Sequence, residues 1–134
     1  MLVARNGVSP KVHPTARIAP TASVVGDVTV AANCYIDYGV VIASSGPPVE
    51  LDEGVSVLAN AVIRSVGGHG RPAFPLRIGA DSIVAPQVAL AGCEIEERCY
   101  IATGVVVLQG ARVGRGSRLA VGSVVHAGSV LEPG

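Results

Sequence analysis

Few side chains in this sequence are equipped for chemistry. Three histidines (His13, His69, His126), three cysteines (Cys34, Cys93, Cys99), nine arginines and one lysine are set against ten carboxylates. The histidines are scattered and lack metal-ligand spacing, so they mark no evident zinc site. There is no C-x-x-C, and an odd cysteine count argues against a complete disulfide framework. The densest stretch is Arg64-Ser65-Val66-Gly67-Gly68-His69-Gly70-Arg71. Arg64 is fixed in charge and could clamp a carboxylate or phosphate at two points. His69 carries an imidazole, the side chain best suited to act as general acid or base. The glycines permit a mobile lid or a close backbone approach, and Ser44 and Ser45 could hydrogen-bond a ligand. Plainer roles stand beside these. Arg64 could pair with Asp52 or Glu53 across an interface, and a histidine in a glycine-rich loop is commonly solvated.

A repeat must position these residues. Ile95, Ile101, Val107, Val113, Leu119, Val125 and Leu131 fall six apart, each with a smaller residue two positions earlier. Helices repeat every 3.6 residues and flat strands every 2, so a strict six implies a short strand plus a turn, coiled into a solenoid. The same spacing holds for Ile18, Val24, Val30, Ile36 and Ile42, for Leu51, Val57 and Ile63, and for Ile78, Val84 and Leu90. Eighteen anchors make about six triangular coils in a single all-β domain over residues 1–134. Residues 1–12 are free to cover the first coil. The three cysteines occupy the small inward position before Ile36, Ile95 and Ile101, which assigns them to core filling.

Composition agrees with a narrow aliphatic core. Hydrophobic residues are 49% of the chain, yet there is no Trp and one Phe. Net charge is zero, with no basic stripe to suggest nucleic acid. The apolar runs are too short to span a bilayer and the N-terminus lacks a secretory pattern, so a cytoplasmic protein is expected, with no membrane partner.

Sorting anchors by face separates three surfaces. Outward residues before the third-face anchors are Thr29, Glu50, Arg77, Glu94, Arg112 and Val130, a solvated set. Those of the second face are Ser23, Val41, Val62, Ala89, Val106 and Val124. A face apolar on both sides is buried on both sides, which predicts a homo-oligomer in a closed ring. Tyr35 and Tyr100 point outward from the first face. Two insertions, Ala43–Glu50 and Arg64–Arg77, leave the corner after the second face on adjacent coils. Stacked loops at one corner are where a solenoid builds a site.

Three segments carry a family resemblance: His13-Pro14-Thr15-Ala16-Arg17-Ile18-Ala19-Pro20, Ala22-Ser23-Val24-Val25-Gly26-Asp27-Val28, and Gly92-Cys93. With the late coils from Ile101 to Ser123, they make the chain resemble the γ-class carbonic anhydrase-like proteins of the hexapeptide-repeat superfamily. The resemblance implies a left-handed parallel β-helix and a homotrimer with sites between subunits. The family's zinc rests on three histidines, and the matching positions here are Arg64, Pro86 and Ala91. Supporting polar positions correspond to Ala43, Ser45, Ser56, Leu58 and Ala59. The resemblance therefore implies a metal-free relative with no cofactor, no zinc-dependent hydration of carbon dioxide and no C-terminal helix. By the same analogy a neighbouring subunit brings Leu58 and Pro86 opposite Arg64 and Ala91. The expected ligand is a small anionic or partly apolar molecule, and any reaction would be of lyase, isomerase or cyclisation type. Two alternatives stay open. One is a non-catalytic scaffolding subunit; the other is an acyltransferase using His69 or His126.

Overall fold

A computed structural model describes residues 1–134. The chain is an all-β, left-handed parallel β-helix without a helical segment, and no helix is long and apolar enough to cross a membrane. Three parallel sheets form its faces. The first face joins Arg17–Ile18, Tyr35–Ile36, Ser56–Val57, Ile83–Val84, Tyr100–Ile101 and Arg118–Leu119. The second runs through Ser23–Val25, Val41–Ala43, Val62–Arg64, Ala89–Ala91, Val106–Val107 and Val124–Val125. The third runs through Val28–Val30, Val49–Leu51, Leu76–Ile78, Glu94–Ile95, Arg112–Val113 and Val130–Leu131.

Every anchor stacks on its counterpart in the next coil. Ile42 pairs with Ile63 and Ile63 with Leu90, while Leu51 pairs with Ile78 and Ile78 with Ile95. These side chains are essentially solvent-free, as are the smaller inward residues Val40, Ala61, Val88 and Val105. Cys34, Cys93 and Cys99 are free thiols in this core. Burial pushes the Cys93 thiol up to about 12, and it raises Cys34 and Cys99 as well. A thiolate is the reactive form, so burial disfavours the reactive state of all three.

The solenoid is longer than the period alone indicates. Leu2–Val3 adds a seventh strand to the second face and Lys11–Val12 a seventh to the third, giving about seven turns rather than six. Val12 falls six before Ile18 and continues the period, whereas Leu2 escapes it because a tight turn, with Arg5 bridged to Val8, intervenes between the two strands. Residues 1–12 thus do cover the first coil, by extending its sheets.

The third face carries a ladder of alternating charge. Glu50, Arg77, Glu94 and Arg112 lie directly over one another. Arg77 bonds Asp52 at 2.8 Å and reaches Glu94 at 3.7 Å, and Arg112 meets Glu96 at 2.6 Å. Opposite charges in register avoid the cross-strand repulsion that a parallel stack of like residues would impose. The Arg112 guanidinium and the Arg115 backbone N–H hold the Glu96 carboxyl below its ordinary 4.5. A depressed carboxylate stabilises the fold above its unfolded pKa, and that contribution disappears as pH falls through the folded value. Carbon-detected NMR titration is expected to place the Glu96 midpoint below the ordinary glutamate range, and Arg112→Ala to return it towards that range.

Candidate functional site

The corner after the second face begins with one in-register row. Val25 pairs with Ala43, Ala43 with Arg64, and Arg64 with Ala91. In Val62–Arg64 the pleat turns Ile63 inward and leaves Val62 and Arg64 exposed. Arg64 therefore rises from the sheet between two alanines, whose methyl groups leave its long side chain room. No carboxylate of the protomer comes within ion-pairing distance of it, and within the protomer Asp52 is paired with Arg77.

The insertion after Arg64 is a hairpin, with Val66–Gly68 antiparallel to Arg71–Phe74. Of the two roles open to its glycines, a mobile lid or close backbone approach, the geometry uses the second. A Cβ on Gly67 would stand 1.8 Å from the Pro72 carbonyl oxygen, so only glycine fits there. His69 adopts a left-handed φ of 52° at the tip, is exposed, and directs Nε2 towards Gly46 of the first insertion. Gly68 packs against Pro47. At the hairpin's other end Phe74 lies over Gly92 and Gly110 on later coils.

Serines lock the two insertions together. Ser45 donates its backbone N–H to Ser65 Oγ at 3.0 Å and its hydroxyl to the Ser65 carbonyl at 2.7 Å. Ser44, almost fully buried, donates its hydroxyl to the Pro47 carbonyl and accepts from the Gly46 N–H. Arg5 donates to the Ser44 carbonyl. Ser44 and Ser45, expected to face a ligand, thus have both hydroxyl protons committed within the insertions, because a proline-rich loop offers few other donors for its carbonyls. Ser65 and Phe74 were not singled out as site residues in the sequence. The available signals were Ser65's position directly after Arg64 and Phe74's being the chain's one phenylalanine.

Other expected site residues are distributed as follows. Ala91 is buried beside the hairpin's base. Leu58 and Pro86 are half-buried at the corner after the first face, so one protomer does not bring them to Arg64. His126 is exposed, on the same corner as Arg64 but beyond the strand of Val106–Val107. His13 accepts the Thr15 N–H on Nδ1, a turn-stabilising bond.

The architecture has close counterparts. A solved hexapeptide transferase family protein from Anaplasma phagocytophilum superposes with a TM-score of 0.91 and 30% identity, over 99% of this chain and 75% of that one. The chain belongs to the hexapeptide-repeat family. Among relatives, the carnitine operon protein CaiE of a Proteus species is 33% identical over 124 residues, 81% of this chain and 62% of that protein. Mitochondrial γ carbonic anhydrase 1 of Arabidopsis thaliana is 28% identical over 103 residues, 76% of this chain and 38% of that protein. The chain thus spans between about a third and two thirds of these curated relatives. No family model matches it.

Within this hexapeptide-repeat framework the hairpin's seat is the most constrained contact. A Cβ on Gly92, whose φ is 50°, would come 2.6 Å from Phe74 Cβ and 2.9 Å from its carbonyl. Gly92→Ala is expected to lower the melting temperature and to speed amide exchange from Val66 to Phe74 while leaving the core strands protected. Unchanged exchange in the hairpin would show that Phe74 does not anchor it.

Proposed function

We propose that the chain is the subunit of a cytoplasmic homotrimer that binds, and in some form converts, a small anionic or partly apolar molecule between protomers without zinc. The observation that carries this reading is Arg64. It is a permanently charged side chain, exposed between Ala43 and Ala91 at the corner built by both insertions, and it is left without a carboxylate by its own protomer. A guanidinium in that position suits two-point recognition of a carboxylate or phosphate. Across the subunit boundary, Leu58 and Pro86 of a neighbour supply the apolar wall, with Ala91 below. His69, at the rim, is the candidate proton carrier, and Arg64 the electrostatic stabiliser of developing negative charge.

Zinc does not suit this donor set. Tetrahedral zinc takes imidazole, thiolate or carboxylate ligands, whereas the positions equivalent to the family's histidines are a guanidinium, a proline ring and a methyl group. Binding and any turnover therefore fall to pocket shape and to the side chains already named. In the test, small carboxylates and inorganic phosphate are titrated into the purified protein alongside elemental analysis for zinc. Binding weakened at least ten-fold by Arg64→Ala, with zinc well below one per chain, is the expected result. Stoichiometric zinc or an indifferent Arg64→Ala would sink the proposal.

The trimer rests on the second face. Val41, Val62 and Val124 expose 38%, 41% and 51% of their surface in the isolated protomer, an apolar stripe along a sheet whose other side is already core. Closure of that face around a threefold axis buries the stripe and sets the corner after one second face beside the corner before another. Val62→Glu is expected to reduce the mass found by light scattering from about three chains to one of 13.5 kDa. A wild-type protein that runs as a monomer would remove the pocket's second wall.

Acyl transfer is the second reading, favoured by the description of the Anaplasma phagocytophilum protein as a member of the hexapeptide transferase family. It requires His69 or His126 beside a long acyl-donor groove. Thermal stabilisation by acyl thioesters, absent with simple carboxylates, distinguishes it from the first.

A further inference from the structure

Both insertions return to the third face through a proline, Pro48 before Val49 and Pro75 before Leu76, on adjacent rungs. Beside these returns opens a cavity of about 300 Å³ lined by Pro48, Glu50, Pro75, Leu76, Arg77 and Glu94. That volume is at the small end of the range that holds organic ligands.

The lining's hydrogen-bonding capacity is one-sided. Proline has no N–H to offer. The Leu76 N–H is donated to the Pro48 carbonyl and the Arg77 N–H to the Cys93 carbonyl, each at 3.1 Å. The Arg77 side chain turns Nη2 to Asp52, which is not part of the lining, and approaches Glu94 only at 3.7 Å. Glu50, the end of the charged ladder, has no ion-pair partner, because the residue beneath it is Thr29. What remains free is carboxylate oxygen above carbon walls. A ligand complementary to this surface must supply N–H donors and positive charge at one end and a short apolar body at the other.

We propose that this cavity binds a small organic monocation, a primary ammonium on a short alkyl chain. The chain lies against the rings of Pro48 and Pro75, and the ammonium donates to the Glu50 carboxylate, while Glu94, whose oxygens Arg77 and Arg112 approach at 3.7 and 4.0 Å, adds its charge from the rung beyond Arg77. Two carboxylates against one guanidinium leave the lining with a single surplus negative charge, which one ammonium neutralises, and its three N–H groups suit several acceptors. The site faces away from the Arg64 corner in charge preference: that corner selects an anion, this cavity a cation.

The test is a titration of the full-length, nitrogen-15-labelled protein with n-butylammonium chloride at constant ionic strength, with n-butanol as the uncharged equivalent. Saturable shifts at Glu50, Leu76, Arg77 and Glu94 are expected with the amine and not with the alcohol. Glu50→Gln is expected to weaken the amine about three-fold or more, the scale of a partly exposed charge contact, whereas Glu53→Gln on the neighbouring turn leaves it unchanged. Should Glu50→Gln not fold, Glu94→Gln makes the same comparison. Nα-acetyl-lysine methylamide separates a free amine from a protein lysine: the added bulk is expected to weaken binding, and tighter binding than butylammonium would overturn the assignment to a free molecule. An equal response to butanol, shifts centred on other faces, or an affinity indifferent to both carboxylate variants would each overturn the site itself.

Discussion

Everything in this molecule depends on the stacking of like on like. In a parallel coil the residue above Ile63 is Leu90 and the residue below is Ile42, and each contact exists only if the register holds along the whole face. A slip of one residue would turn the buried set outward and bring Val62 and Arg64 into the core. Insertions are therefore tolerated only at corners, where backbone can leave and return without shifting the strands. Both long insertions obey this, leaving after Ala43 and Arg64 and rejoining at Val49 and Leu76. Register thus confines the insertions, and with them the candidate Arg64 site, to that corner.

Like-on-like stacking carries an electrostatic cost that the third face resolves by alternation. Glu50, Arg77, Glu94 and Arg112 take turns in sign, and Asp52 and Glu96 attach from the adjoining turns. Charges on that face are consequently neutralised within the protomer, Glu50 and the terminal Lys11 excepted. The second face solves the same difficulty by carrying almost no charge, and its single cation is Arg64, flanked by alanines. An unpaired guanidinium on an otherwise apolar sheet has no structural task that the protomer's own contacts explain. That contrast, more than any motif, distinguishes the corner from ordinary solvated surface.

The backbone was legible in the sequence to the extent that it repeats. Periodicity assigned all eighteen anchors to their faces because burial on a narrow prism selects aliphatics at one position in six, irrespective of what the loops do. It stopped at Ile18: Val12 keeps the spacing of six but stands alone beyond it, since the turn before Lys11 puts Leu2 out of step, and the side chains of both strands at the open end are at most partly buried. The insertions were legible as interruptions but not as structure. Gly67-Gly68-His69-Gly70 reads as flexible when taken alone; its hairpin exists because Val66 pairs with Phe74 and Phe74 finds Gly92, forty and more residues from the first insertion that the tip also touches. Contacts between two irregular segments leave no period, so Ser65, locked to Ser45, could be found only in three dimensions.

This locking bears on how such a corner acquires new chemistry. If the glycine-rich segment were a lid, a change of ligand would require a change of motion. The hairpin is instead held at three places, by Ser45 on Ser65, by Pro47 against Gly68 and by Phe74 over Gly92 and Gly110. The backbone around Arg64 is then a fixed frame in which side chains at the rung positions can be exchanged while the strands stay in register. Exchanging the outward side chains at this corner needs no new fold, because the pairing of Arg64 with Ala43 and Ala91 is backbone pairing and indifferent to what projects from it. A scaffold whose stability resides in the inward residues leaves the outward residue free to change, and at this corner that freedom yields a cation presented on an apolar floor, a surface suited to holding an anion by charge and its carbon skeleton by contact.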